Sequence, residues 1–542
     1  MKKVISFLFI ALVATSLHAQ KKQFTRQDSL RGSITKERIW WDLNYYHLDI
    51  QVFPTTKSIK GKNTIKYKVL SPYQVMQIDL QAPLKITRVT QNGKDLKVIH
   101  EGNAHFIQLV KKQKLGAKNT LVVYYEGPPK EAVNAPWDGG FSWKKDDNGN
   151  DFIATSCQGL GASVWWPNKD HMYDEAESMD ISVRVPSNLM DVSNGKLKKV
   201  EKHNDNTTTY HWTVDSPINN YGVNINIGDY VHFSEKYKGE AGKLDMDYYV
   251  LSYNLDKAKE QFKQAPKMMK AFEHWFGPYP FYKDGYKLVE VPYLGMEHQS
   301  SVTYGNKYAN GYLGRDGSGT GYGLKFDFII IHESGHEWFA NNITYKDMAD
   351  MWIHESFTNY SENLYVDYYF GKKAAADYVI GTRRGIRNDR PIIGVYDVNS
   401  SGSGDMYSKG GNMLHTIRTI IDNDEKWREI LRGLNRTFWH QTVTTAQIEN
   451  YISKESNFDF SSLFDQYLRD YRIPTLTYSI KINELSYQWT TAIPSFTMPV
   501  KVRIDGKEYL LNPTTKEQKL AVSTSEGKLE VDRNYYVKTL KN

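Results

Sequence analysis

The chain has 542 residues, with 69 Lys and Arg against 62 Asp and Glu for a formal charge of +7, 40% hydrophobic and 13% aromatic residues, and one cysteine. So small a charge on so long a chain excludes nucleic-acid binding through a basic surface, and a lone cysteine excludes an internal disulfide and any cysteine-rich zinc site. The length exceeds what a single core fills and predicts about three domains at roughly 150 residues each.

Residues 1–19 read as an export signal. Lys2 and Lys3 precede an apolar run from Val4 to Leu17, with Ala19 before Gln20 at the expected cleavage point. The run is short for a bilayer span and is followed by Lys21 and Lys22, so a membrane anchor is the weaker alternative. With no cysteine in this leader to take a lipid, the expectation is a soluble protein in the periplasm or outside the cell. Its oligomeric state is not legible.

From residue 20 to 232 the pattern alternates with period two. Tyr46, Leu48, Ile50 and Val52 are set against His47, Asp49 and Gln51, and Ile65, Tyr67 and Val69 against Lys66 and Lys68. Further strands fit Leu121 to Tyr125, Ile181 to Val185 and Val223 to Ile227, which predicts an N-terminal antiparallel β domain. Lys57, Lys60, Lys62, Lys66 and Lys68 then form the wet face of strands rather than a binding patch.

A mostly helical domain is expected over 233–472. Leu255 to Phe276 has helical spacing and stops at Gly277-Pro278, and a strand from Tyr286 to Val291 leads into Leu294-Gly295-Met296-Glu297-His298. The glycine-rich stretch from Gly311 to Gly323 lacks a phosphate-loop pattern and is expected to be a mobile connection bordering a cleft. Helices are expected over 326–343 and 348–369. Strands return in 473–542, with Val500, Val502 and Ile504 alternating up to an Asp505-Gly506 turn, which predicts a small C-terminal β-sandwich.

The chemistry concentrates in His332-Glu333-Ser334-Gly335-His336, followed after an eighteen-residue gap by Glu355. Two imidazoles four residues apart share one face of a helix and can reach one metal ion, with Glu333 directed at its open side. A hydrolytic zinc site takes three protein ligands and leaves one position for water, and His332, His336 and Glu355 supply that set from two neighbouring helices. Glu333 is then the base that takes a proton from zinc-bound water and passes it to the leaving amine. Glu362, seven residues beyond Glu355 on the same helix face, is either an acceptor behind a ligand imidazole or a surface glutamate. Cys157 reads as a small buried residue rather than a nucleophile.

The run from His332 to Asn341 together with Trp352-Ile353-His354-Glu355-Ser356 resembles the zinc motif of the aminopeptidase N and leukotriene hydrolase family of gluzincins, in which the gap to the third ligand is the same. The family's Gly-x-Met-Glu-Asn signature is matched in its core by Gly295-Met296-Glu297, with Leu294 in place of the first Gly and His298 in place of Asn. The resemblance implies that Gly295, Met296 and Glu297 bind substrate, Glu297 gripping its α-ammonium. It also implies that Gln158, in Cys157-Gln158-Gly159, is a second ammonium ligand and that Tyr407, in Met406-Tyr407-Ser408-Lys409-Gly410, hydrogen-bonds the oxyanion. The implied fold is a β saddle, a thermolysin-like catalytic domain and a short β-sandwich. Only about seventy residues follow Pro474, so the carboxylate-binding residues that relatives place in a large C-terminal helical domain are not carried over to this sequence.

The expectation is a secreted aminopeptidase with one Zn2+, hydrolysing the N-terminal residue of peptides. A thermolysin-like zinc endopeptidase is the nearest alternative, and a non-catalytic zinc-stabilised binding protein is a more distant one. Glu297 separates the first two, because only an exopeptidase needs to hold a free amine.

Overall fold

The computed structural model describes residues 23–524 and 527–542; the expected leader over residues 1–19 lies outside them. The N-terminal part is built on the long strands Trp41–Phe53 and Ser58–Val69, which pair antiparallel within an eight-stranded sheet. In the first of them Leu48, Ile50 and Val52 are buried while His47, Asp49 and Gln51 are half-exposed, the alternation read from sequence. The sheet is not purely antiparallel: Trp41–Phe53 pairs in parallel with Ser178–Pro186, in the register Leu48 opposite Ile181. A parallel neighbour needs a long crossover, and the intervening chain provides it through other strands of the domain.

A second sheet of four strands stacks Gly140–Lys145, Asp151–Ser156, Ile225–Gly228 and Met190–Ser193. The strand Asp151–Ser156 runs directly into Cys157 and Gln158 and so delivers Gln158 to the side chains of Glu297 and Glu355 in the helical part of the chain. Cys157 is fully buried, and its thiol donates to the Tyr221 carbonyl at 3.3 Å.

The next part of the chain opens with a five-stranded mixed sheet in the order Tyr230–Gly239, Gly242–Leu251, Tyr286–Glu290, Val302–Tyr304, Gly295–Met296. Its short edge strand, Gly295–Met296, lies against the helix that carries the two histidines. A Cβ on Gly295 would sit 2.6 Å from Ile329 Cγ2, so glycine permits that close approach.

Two helix expectations need correction. The stretch 255–276 is two helices, Leu255–Gln261 and Gln264–Phe276, not one. The stretch 326–343 is an eight-residue α-helix, Phe328–Gly335, followed by a wider turn over Glu337–Asn342 in which Phe339 and Ala340 leave helical geometry. The helix begins where Asp327 Oδ1 accepts the N–H groups of Ile329 and Ile330 (3.0 and 3.3 Å). It ends because the Phe339 carbonyl turns to face the His336 ring, and the chain then enters the strand Ile343–Tyr345, paired in parallel with Gln441–Val443. The second helix of the motif, Trp352–Phe370, is continuous and stops at Gly371.

The C-terminal residues form two sheets. One holds four strands (Gln518–Ala521, Glu484–Thr490, Thr475–Lys481 and Lys538–Lys541) and the other three (Lys507–Leu511, Val500–Ile504 and Leu529–Val531). Asp505 and Gly506 both have positive φ (47° and 84°), which suits the tight hairpin expected there. No helix of the described residues is long and apolar enough to cross a membrane.

Candidate metal centre

The histidine helix Phe328–Gly335 crosses the helix Trp352–Phe370 at close range. A Cβ on Gly335 would lie 2.5 Å from Ser361 Oγ and 3.2 Å from Thr358 Cγ2. The small residue lets the two backbones approach and brings Glu355 to the face that carries His332 and His336. Glu355 Oε2 is 3.8 Å from His332 Nε2 and 3.5 Å from His336 Nε2, and these ligand atoms all lie within 4.8 Å of one another.

The far nitrogens of both rings are fixed. His332 Nδ1 bonds Glu362 Oε1 at 2.8 Å, and His336 Nδ1 lies 3.1 Å from the Phe339 carbonyl and 3.0 Å from Thr358 Oγ1. Glu362 is 1% exposed, so it is no surface glutamate. Its other oxygen accepts from Tyr378 OH at 2.5 Å, and Oε1 also accepts from Asn359 Nδ2 at 3.3 Å. Glu355 Oε2 is buried and has no hydrogen-bond donor among the described residues. Two imidazole nitrogens oriented through their opposite edges, facing a carboxylate oxygen without a donor, fit a divalent ion of the N/O-preferring kind and match the ligand set of a hydrolytic zinc site.

The surrounding groups shift one another strongly. Burial alone would raise Glu355, but the imidazoles of His336 and His332 hold it well below the usual carboxylate range. Burial would lower His332 and His336; the first is instead raised by Glu355 and Glu362, the second by Glu355 and Glu297. Burial pushes Glu333 up to about 7, against the opposing pull of His332, and burial also raises Glu297. Burial, reinforced by the charge of Glu355, lifts the Tyr407 phenol well above its ordinary value, which leaves it a hydroxyl donor. The Tyr407 ring stacks over His332 with centroids 6.2 Å apart.

Glu297 is 3% exposed and stands beside the ligand cluster. Gln158 Nε2 donates to Glu297 Oε1 at 2.6 Å and to Glu355 Oε1 at 3.2 Å, one amide bridging the two carboxylates from the N-terminal half. The Glu297 carbonyl accepts from Asn341 Nδ2 at 2.9 Å. His298 is fully buried, and burial takes it down to about 3, a neutral ring packed behind the strand.

All ten residues singled out from the sequence (His332, Glu333, His336, Glu355, Glu362, Glu297, Gln158, Gly295, Met296 and Tyr407) line one cavity of about 410 Å³, within the usual range of ligand pockets. Tyr312 and Gly317 of the glycine-rich stretch border it, as expected. Trp137, Phe328, Tyr378 and Arg384 also line it and had no sequence signal. Tyr378 lies on the next helix, Lys372–Gly381, where no spacing rule ties it to Glu362.

Residues 43–221 match the Peptidase M1 N-terminal domain and residues 260–467 match the Peptidase family M1 domain. Among curated proteins, the chain is similar to a probable aminopeptidase 2 of Sulfurisphaera tokodaii: 22% identity, covering 85% of this chain and 59% of that protein. It is also similar to endoplasmic reticulum aminopeptidase 1 of Homo sapiens, at 21% identity over 73% of this chain and 44% of the relative. The chain thus spans less than two thirds of the length of these relatives. Among solved structures it resembles an M1 zinc metallopeptidase from Deinococcus radiodurans bound to a Tyr-Ser-Ala substrate, with a TM-score of 0.68 at 18% identity over 80% of this chain and 95% of that one. At that identity the likeness concerns the fold.

Proposed function

We propose that this chain, which belongs to the M1 family of peptidases, is a zinc-dependent aminopeptidase that removes the N-terminal residue from peptides. The observation that carries the reading is the bridge Glu297–Gln158–Glu355, which sets a buried carboxylate one amide away from the ligand cluster. A carboxylate so placed has no task in an endopeptidase. It suits a positively charged N-terminus and fixes how far that N-terminus lies from the bond to be cut.

His332 Nε2, His336 Nε2 and Glu355 Oε2 would hold one Zn2+. Bound there, the ion supplies a Lewis acid that acidifies water and polarises the scissile carbonyl. Glu333, whose carboxyl is weakened as an acid by burial, takes the proton of the attacking water and returns it to the leaving amine. Tyr407 donates its hydroxyl to the oxyanion that develops on the substrate carbonyl. Glu297 accepts from the α-ammonium, and Gln158, whose amide nitrogen is already engaged by both carboxylates, offers its side-chain oxygen to the same group. The edge strand at Gly295 and Met296 lays backbone along the substrate. Glu362 holds His332 in register. Export to the periplasm or beyond is proposed on the sequence of residues 1–19 alone.

Hydrolysis of a panel of aminoacyl amides by the purified protein tests the reading. The expected result is activity that is abolished by a chelator and restored by Zn2+. Failure of the zinc-loaded protein to hydrolyse any member of a broad panel contradicts it.

A further inference from the structure

The cleft is crowded with carboxylates: Glu297, Glu333, Glu355 and Glu362 all line it. Its one guanidinium or ammonium among the described lining residues is Arg384. Building on the aminopeptidase reading, we infer that Arg384 is a carboxylate-binding subsite, so that the cleft recognises a substrate by opposite charges, with ammonium at Glu297 and carboxylate at Arg384.

Arg384 sits on the short turn Thr382–Gly385 that follows the helix Lys372–Gly381. One terminal nitrogen donates to the Asp316 and Gly317 carbonyls, both at 2.8 Å, which pins the guanidinium against the glycine-rich stretch. These acceptors are neutral, so the charge itself is not compensated. The obvious partner, Asp316, has its carboxylate committed elsewhere: Oδ1 accepts from the Ser318 N–H and hydroxyl at 2.8 and 2.7 Å, and Oδ2 from the Gly321 N–H at 2.6 Å. Glu362 is likewise saturated by His332, Tyr378 and Asn359. Among the described residues no carboxylate lies within ion-pairing distance of Arg384.

The neighbouring arginines differ. Arg383 is half-buried outside the cavity lining, bonded to Asn412 and to the carbonyls of Arg533 and Asn534, and Arg387 is 3.7 Å from Asp389. Arg384 alone is exposed to the cavity with its charge unpaired. The loop also leaves room for it. A Cβ on Gly319, where φ is +69°, would stand 2.1 Å from the other terminal nitrogen of Arg384, so an added methyl group would shift the guanidinium from the position it takes here. A held guanidinium with its charge uncompensated is pre-organised for a carboxylate.

A carboxylate can come from two sources: the C-terminus of a short peptide that fits within about 410 Å³, or an acidic side chain downstream of the scissile bond. The test compares kcat/KM on three tripeptides of the same N-terminal residue: a neutral sequence as the free acid, the same sequence C-terminally amidated, and an amidated sequence with Asp or Glu at the second or third position. A charge-assisted contact predicts a preference of about tenfold to a hundredfold for a carboxylate-bearing peptide over the neutral amide. Preference for the free acid assigns the C-terminus, and preference for the acidic amide assigns the side chain. In Arg384→Gln, and independently in Gly319→Ala, the ratio should fall toward one. Because the ratio is taken within each variant, a loss of folded protein does not mimic it. Equal rates on all three peptides in the unaltered protein, or a ratio unchanged in Arg384→Gln, overturns the assignment of Arg384. Absence of hydrolysis of all three by zinc-loaded protein instead overturns the aminopeptidase reading beneath it.

Discussion

Glu333 and Tyr407 serve different moments of the proposed reaction, and their removal should read differently. Glu333→Gln keeps the volume and spares all three ligand atoms, so zinc content should stay at the unaltered level by elemental analysis while kcat/KM falls by about 10²- to 10⁴-fold. Tyr407→Phe removes only a donor aimed at charge that appears in the transition state. Its kcat should drop by roughly 10²- to 10³-fold with KM little changed, as measured on an aminoacyl amide. The residues behind these expectations were legible to unequal degrees. His332, Glu333, His336 and Glu355 stand out because helix geometry makes a four-residue spacing a statement about one face. Glu362 was ambiguous, since spacing alone does not say whether a helix face is wet; its 1% exposure and its bond to His332 resolve it. Tyr378 left no trace in the sequence, because its hydrogen bond to Glu362 arises from how two helices pack and not from any local pattern.

Helices carry the proposed zinc ligands, and their crossing is as important as their spacing. Glu355 reaches the histidines only because Gly335 lets Thr358 and Ser361 come near. Gly335→Ala should force that contact apart, lowering stability by about 1–3 kcal/mol in urea denaturation and weakening zinc binding in a competition titration. An unchanged zinc affinity would show that the crossing tolerates the methyl group. On the opposite side of His332, Glu362→Gln should weaken zinc binding by about 10- to 100-fold, read without any substrate. Sequence periodicity located both helices but overran the first. The turn after His336 is set by a carbonyl facing an imidazole, 3.1 Å apart across three residues, and period-based reading has no term for that. Strands were more faithful, because burial of one sheet face imposes its alternation directly on the residues, as along Trp41–Phe53.

Across the whole molecule, the helix that follows Tyr407, Ser408–Ile421, is clamped to the turn that joins the C-terminal strands Leu529–Val531 and Lys538–Lys541. His415 Nε2 lies 3.0 Å from Asn534 Oδ1, and Thr416 Oγ1 accepts the Tyr536 N–H at 3.1 Å. Burial, with Arg418 adding to it, takes His415 down to about 4 in the folded protein, whereas an unfolded histidine titrates near 6.5. Between those values the unfolded chain binds the proton and the folded chain does not. The contribution of His415 is therefore complete above about pH 6.5 and is lost as pH falls toward 4, by about 3 kcal/mol. His415→Gln should have a flatter dependence of unfolding free energy on pH by that amount, measured in urea at pH 7, 5.5 and 4; parallel curves would show that this ring is not the titrating group.

The two halves of the molecule meet at the Gln158 amide, between Glu297 and Glu355, and the central claim is that this junction receives a free N-terminus. Comparing kcat/KM for one peptide with its α-amine free and with it acetylated, on the zinc-loaded protein, tests that claim most directly. Acetylation removes the charge that Glu297 is placed to hold and should cost roughly a hundredfold or more. Equal cleavage of the two peptides at the same bond would contradict the aminopeptidase assignment and leave an endopeptidase in its place.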